Sequence, residues 1–163
     1  GARPMTKIKN LMTRDVQTCH PDDSLSDACK LMWDYDCGIT PVTEISSQRM
    51  LGIVTDRDAA IAACTLGLPM SAIPARIAMS QRVRACREDD DLAQVHATMR
   101  KHQIRRVPIT NEHGELTGML TLNDLAIHAH ESGNKAERLE IAETLAAVSK
   151  HRRAGPVPAT SPR

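Results

Sequence analysis

Two stretches of this chain set chemistry-bearing residues at one spacing, GIVTDRD over residues 52–58 and GMLTLND over residues 118–124. Each has a glycine, two apolar residues, a threonine and, three residues after the threonine, an aspartate: Thr55 and Asp58, then Thr121 and Asp124. A Thr-x-x-Asp at the start of a helix has two uses. In one it is a capping box, in which the hydroxyl and the carboxylate exchange hydrogen bonds with backbone N–H groups that the helix leaves unsatisfied. In the other the same helix terminus offers N–H donors and partial positive charge to a phosphate, while the carboxylate takes the two hydroxyls of a ribose. The uses are compatible, because the threonine can serve phosphate with the aspartate left for the sugar. Gly52 and Gly118 sit in apolar strands that a side chain would serve better, and such a glycine marks close approach of a ligand or another backbone. The glycines, found twice, favour the ligand use.

The elements that position these residues are also written twice. Sliding the chain by 67 residues aligns positions 19–43 with 86–110, with identities at Cys19/Cys86, Asp22/Asp89, Asp23/Asp90, Leu25/Leu92, Met32/Met99, Pro41/Pro108 and Thr43/Thr110. Met12-Thr13 matches Met79-Ser80 at the same offset, and beyond the turn at 45–50 the offset falls to 66, a length change of the kind turns tolerate. Each copy reads as a short extended stretch (16–18; 83–85), a helix with apolar Leu25, Ala28, Met32 or Leu92, Val95, Met99, two strands (40–43 and 51–55; 106–110 and 116–121), and a second helix after the Thr-x-x-Asp. Ser24 and Asp27 suit a cap on the first helix. The expected fold is α+β, two β-α-β-β-α repeats (8–68 and 75–131) that complete each other's core. Residues 135–150 read as an amphipathic helix docking through Leu139, Ala142 and Leu145 or Ala146. The proline-bearing tail 151–163 is expected to be flexible, and GARP ahead of Met5 reads as a leftover of expression.

Composition narrows the function. Lys and Arg number 21 against 20 Asp and Glu, a formal charge of +1, so no global field favours nucleic acid or an anionic membrane. Trp33 and Tyr35 are the only aromatic residues, too few for a base-stacking platform. No apolar run reaches the length of a membrane span, and no signal-peptide core stands near the start, which leads to an expectation of a cytoplasmic protein. Five cysteines, Cys19, Cys29, Cys37, Cys64 and Cys86, form no CxxC pair and read as reduced, mostly buried thiols.

Both copies resemble the cystathionine-β-synthase (CBS) domain, and the pair resembles a Bateman module. The resemblance is carried by VQTCHPDDSLSDACKLM, CGITPVTE and GIVTDRDAAIAA in copy one, and by VRACREDDDLAQVHATMRKHQIRRVPIT and GMLTLNDLAIHA in copy two, roughly residues 10–130. It implies two units about a pseudo-twofold axis, with two clefts for adenosine-containing ligands: AMP, ADP or ATP, with S-adenosylmethionine and NADH as lesser alternatives. It implies that Asp58 and Asp124 hold ribose and that Thr55 and Thr121 help hold phosphate. The base would lie on the opening strand of the opposite copy, pairing Asp58 with Val83 and Ala85, and Asp124 with Val16 and Thr18. Arg105 and Arg106 match family positions that reach phosphate; copy one has Gly38 and Ile39 there, so the clefts should differ. The resemblance also implies a homodimer joined through helices, with Trp33 at the interface.

Other chemistries have less to stand on. Asp56 and Asp58 diverge at a helix start, and Asp56 becomes Leu122 in copy two. The seven histidines, His128 and His130 among them, lack zinc-ligand spacing, and Cys19 and Cys86 suit inert buried thiols better than a redox sensor. No required cofactor, nucleophile-base pair or GxxxxGK[ST] loop is visible. The resemblance to the CBS domain thus implies a non-catalytic regulatory module that senses an adenine nucleotide and signals to an unspecified protein partner. The competing reading is a ligand-independent dimerisation scaffold whose Thr-x-x-Asp motifs only cap helices.

Overall fold

The computed structural model describes residues 6–150; the GARP lead and the tail from residue 151 lie outside the described residues. Helix α1 (Leu25–Asp34) begins at Ser24, whose hydroxyl accepts the Asp27 N–H at 3.1 Å while the Asp27 carboxylate accepts the Ser24 N–H at 3.0 Å. Its apolar stripe, Leu25, Ala28 and Met32, is buried. The chain then turns through Asp36, in the left-handed region at φ 48°, into β1 (Ile39–Thr43), which pairs antiparallel with β2 (Met50–Thr55). Helix α2 (Asp56–Leu66) follows and stops at Gly67. The short α3 (Ala75–Ala78) leads to the second copy. There β3 (Cys86–Arg87), α4 (Leu92–His102), β4 (Arg106–Thr110), β5 (Leu116–Thr121) and α5 (Leu122–Ser132) repeat the order, with β3 parallel and β5 antiparallel to β4.

The opening strands differ from expectation. Residues 16–18 and 83–85 form no ladder; pairing starts at Cys86, and in copy one it shrinks to a single bridge between Cys19 and Val42. The β-α-β-β-α pattern is thus complete in copy two alone.

The copies exchange their leaders. Thr13 pairs with Met119 of β5 through reciprocal N–H···O bonds of 2.9 Å, and Ser80 pairs with Ile53 of β2 at 2.8 and 3.0 Å. Ile8 and Met12 consequently pack in the core of Val95, Met99, Val107, Ile109 and Leu120, while Ile73 and Ala75 pack with Leu25, Ala28, Val42 and Val54. There are two cores, each completed by the segment that precedes the other copy. The hairpin turns also meet: the Leu116 N–H donates to the Gln48 carbonyl at 3.0 Å and the Met50 N–H to that of Gly114 at 3.2 Å.

Helix α6 (Lys135–Ser149) docks on α4 and α5, but through a different face from the one its leucines suggest. Thr144 and Val148 are buried and Ile141 packs against the second core, whereas Leu139 and Leu145 are exposed. The stripe Ile141–Thr144–Val148 has helical spacing, and its polar middle member is accepted because Thr144 hydrogen-bonds His96 and Arg100.

Candidate functional site

Both Thr-x-x-Asp motifs form complete capping boxes. The Thr55 hydroxyl accepts the Asp58 N–H at 3.1 Å and the Asp58 Oδ2 accepts the Thr55 N–H at 3.0 Å; in copy two the distances are 3.1 Å to Thr121 Oγ1 and 2.8 Å to Asp124 Oδ2. The cap uses one carboxylate oxygen of each aspartate; Oδ1 of both lacks a hydrogen bond among the described residues. The cap therefore leaves acceptor capacity for a ligand.

Copy two builds a cavity around this motif. A space of about 500 Å³ is lined by Thr121, Asn123 and Asp124 at the start of α5, by Arg105 and Arg106 leading into β4, and by Val16 with Asp15 and Gln17 from the leader of copy one. Tyr35, Asp36 and Cys37, from the end of α1, with Thr40 and Pro41 of β1, line its other wall. The Leu122 N–H donates to the Arg105 carbonyl at 2.8 Å, which ties the arginine pair to the α5 terminus. Thr121, Asp124, Arg105, Arg106 and Val16 are thereby brought together. Thr18, expected beside Val16, does not line this cavity; its hydroxyl takes a hydrogen bond from Thr43 Oγ1 at 3.2 Å, which turns it into the sheet of copy one.

The copy-one motif is placed differently from its counterpart. Thr55, Asp58, Val83 and Ala85 line neither this cavity nor two further spaces of about 450 and 490 Å³, and Ala85 is exposed. Where copy two has Arg105, copy one has Gly38, and where copy two has Leu122, copy one has Asp56. The Asp56 carboxylate leans over the glycine so closely that a Cβ there would stand 3.1 Å from Asp56 Oδ2. An acid occupies the place where the other copy offers bases, which opposes an anionic ligand. Asp56 and Gly38 instead line a neighbouring space of about 490 Å³ with Cys29, Cys37, Trp33 and Arg106. Arg106 borders both spaces.

The glycines have a simpler cause than a ligand. A Cβ on Gly118 would lie 2.5 Å from Met12 Sδ and 3.0 Å from the Thr13 carbonyl oxygen; one on Gly52 would lie 2.8 Å from the Ser80 carbonyl oxygen. The exchanged leaders run over both glycines. They record approach of another backbone and carry no weight for ligand binding.

Sequence reasoning missed Tyr35, Asp36 and Asp15. A short Asp-bearing segment after a helix was the available signal at Asp36, since aspartate tolerates the left-handed backbone. Burial holds the Cys19 thiol up at about 11, with Asp23 adding to the shift, and pushes Cys86 up as well against the opposing influence of its hydrogen bond with Thr98. Cys19 and Cys86 are buried as expected, but Cys29 and Cys37 are only partly so and Cys64 is exposed. No helix among the described residues is long and apolar enough to cross a membrane, and no group of three or more His, Cys, Asp or Glu among them is placed to hold a metal.

A family model described as CBS domain matches the chain twice, over residues 8–63 and 75–131. The Bacillus subtilis protein YlbB is 37% identical over 123 residues, covering 76% of this chain and 82% of that protein. Hypoxic response protein 1 of Mycobacterium tuberculosis is 28% identical over 127 residues, 78% of this chain and 87% of that one. The crystal structure of Hypoxic Response Protein I with two coordinated zinc ions matches at a TM-score of 0.68 and 27% identity, over 76% of this chain and 98% of that one. The CBS domain pair of protein MJ0100, in complex with 5′-methylthioadenosine and S-adenosyl-L-methionine, matches at a TM-score of 0.68 over 79% of this chain and 99% of that one, and at 22% identity shares the fold.

Proposed function

The chain belongs to the CBS domain family as a tandem pair, a Bateman module, and on that premise we propose that it is a non-catalytic regulatory module that binds an adenine nucleotide in the cavity of copy two. The observation that carries this reading is the convergence of Asp124, Thr121, Arg105 and Arg106 with Val16 around a space of about 500 Å³. In this reading Asp124 Oδ1 accepts a ribose hydroxyl, the α5 terminus and an arginine take phosphate, and Val16 of the copy-one leader lies under the base. AMP, ADP and ATP are the ligands of first choice; the MJ0100 pair, of the same fold, holds adenosyl compounds. The copy-one motif, Thr55 and Asp58, acts as a helix cap.

Thermal unfolding against AMP, ADP, ATP and S-adenosylmethionine tests it. A ligand at a hundredfold excess over its dissociation constant stabilises by about 2.7 kcal/mol, a rise of several degrees for a chain of this size. A shift lost in Asp124→Ala and kept in Asp58→Ala supports the reading; no shift with any of them overturns it.

The scaffold reading is favoured by one observation, that both capping boxes are complete without a ligand. It shares with the first a homodimer, for which Trp33 of α1, 86% exposed, and the exposed Ile61 and Leu66 of α2 give apolar surface. Light scattering on the intact chain reads the assembly state. A cytoplasmic location and a regulated protein partner complete the proposal.

A further inference from the structure

Resting on the nucleotide reading of the copy-two cavity, we propose that this cavity selects a nucleoside carrying one phosphate group over the corresponding triphosphate, and that Ser149 of α6 and Asp36 after α1 set that preference. A polyphosphate needs several cationic partners, and the cavity supplies few. Its two arginines, Arg105 and Arg106, are outnumbered by the aspartates Asp15, Asp36 and Asp124 in the same lining.

The two arginines are also unequal. Arg105 Nη2 donates to Ser149 Oγ at 3.2 Å, and Ser149 lies outside the lining, so this guanidinium is directed toward the end of α6. That end is held down by the same connecting segment, since Gln103 Nε2 donates to the carbonyls of Ala147 at 3.2 Å and Lys150 at 3.1 Å. Arg106 makes no hydrogen bond or ion pair among the described residues and borders the cavity and its neighbour alike. It is the cation left for a ligand.

Asp36 opposes a longer phosphate chain. It lines both spaces that Arg106 borders, yet the two form no ion pair among the described residues, so its charge is not neutralised there. One phosphate beside Arg106 gains a charge-assisted pair; each further phosphate adds negative charge near Asp36 without a free guanidinium to meet it. The preference is thus built from a repulsive element and a diverted cation, both outside the Thr-x-x-Asp motif.

Isothermal titration of the intact chain with AMP, ADP, ATP and adenosine at fixed ionic strength reads the preference. The expected order is AMP tightest, with ATP weaker by about tenfold or more. Asp36→Asn keeps the left-handed turn, because asparagine tolerates that backbone, and should raise ATP affinity several-fold while leaving adenosine unchanged. Ser149→Ala should do the same by releasing Arg105, and Arg106→Gln should weaken AMP far more than adenosine. ATP binding as tightly as AMP, or Asp36→Asn and Ser149→Ala leaving the AMP-to-ATP ratio unchanged, overturns the selectivity while the nucleotide reading stands. Failure of all four ligands to bind overturns both.

Discussion

Gly118 and Met12 stand at a distance that admits no side chain on the glycine: a Cβ would come within 2.5 Å of the methionine sulfur. The same leader pairs its Thr13 with Met119, so the contact locks the start of one copy onto the last strand of the other. Gly118→Ala and Gly52→Ala should each destabilise by about 1–3 kcal/mol, the range for overfilling a packed site. Gly52→Ala is expected to be the worse, because it meets the Ser80 carbonyl oxygen at 2.8 Å, whereas Met12 can swing part of its side chain. Denaturant unfolding measures both; an unchanged midpoint for Gly52→Ala would show that the leader is not held there.

These glycines also show where the sequence was legible and where it was not. The duplicated pattern, the strands and the helices after Thr55 and Thr121 follow from periodicity, since each element is a local property of its own residues. The pairing of Met12-Thr13 with β5, and of Met79-Ser80 with β2, is a long-range choice that composition does not record, although both segments stood out in the repeat. The docked face of α6 was hidden for a related reason: Thr144 reads as polar until His96 and Arg100 are placed beside it. Likewise Tyr35 and Asp36 join Asp124 only through the packing of the two copies.

The two motif aspartates separate capping from binding. Asp58→Ala and Asp124→Ala both remove the carboxylate half of a capping box and should each cost about 1 kcal/mol in the absence of ligand, a few degrees in Tm. Only Asp124→Ala should also weaken nucleotide binding, by about tenfold or more if a charged hydrogen bond to ribose is lost. Calorimetry on both variants checks this. Equal losses of affinity would place a ligand in copy one as well.

The cysteines should differ widely in reactivity. The thiolate is the reacting form, and burial with the nearby Asp23 keeps Cys19 a thiol to about pH 11, while burial pushes Cys86 the same way. Cys64 is exposed on α2. Alkylation of the native chain near neutral pH, followed by mass spectrometry, should label Cys64 first and leave Cys19 and Cys86 protected until unfolding. Rapid labelling of Cys19 would reopen the redox-sensor reading.

The seat of α6 should weaken in mild acid. His96 of α4 is buried, and the Thr144 hydroxyl lies 2.7 Å from its Nδ1 while taking a hydrogen bond from Arg100 at 3.1 Å. With Arg100 donating to that oxygen, the hydroxyl proton is available to an unprotonated ring nitrogen. The groups facing this seat are Arg100 on α4, His128 on α5, and Glu137 and Glu140 on α6. Burial, the largest influence, lowers the His96 pKa; Glu140 pulls the other way and Arg100 adds to the lowering. A histidine with a depressed pKa binds its proton more readily when unfolded. Between the ordinary value of about 6.5 and the lower folded value, stability therefore rises with pH and is lost as pH falls, by at most about 1.4 kcal/mol per unit for one group. Hydrogen exchange of α6 should quicken from pH 7 to 5.5 once the intrinsic pH effect is removed, and Tm should fall over the same interval. His96→Gln should flatten that dependence even where it lowers Tm outright. An equal slope in the variant would assign the acid sensitivity to other groups and leave His96 a structural partner of Thr144.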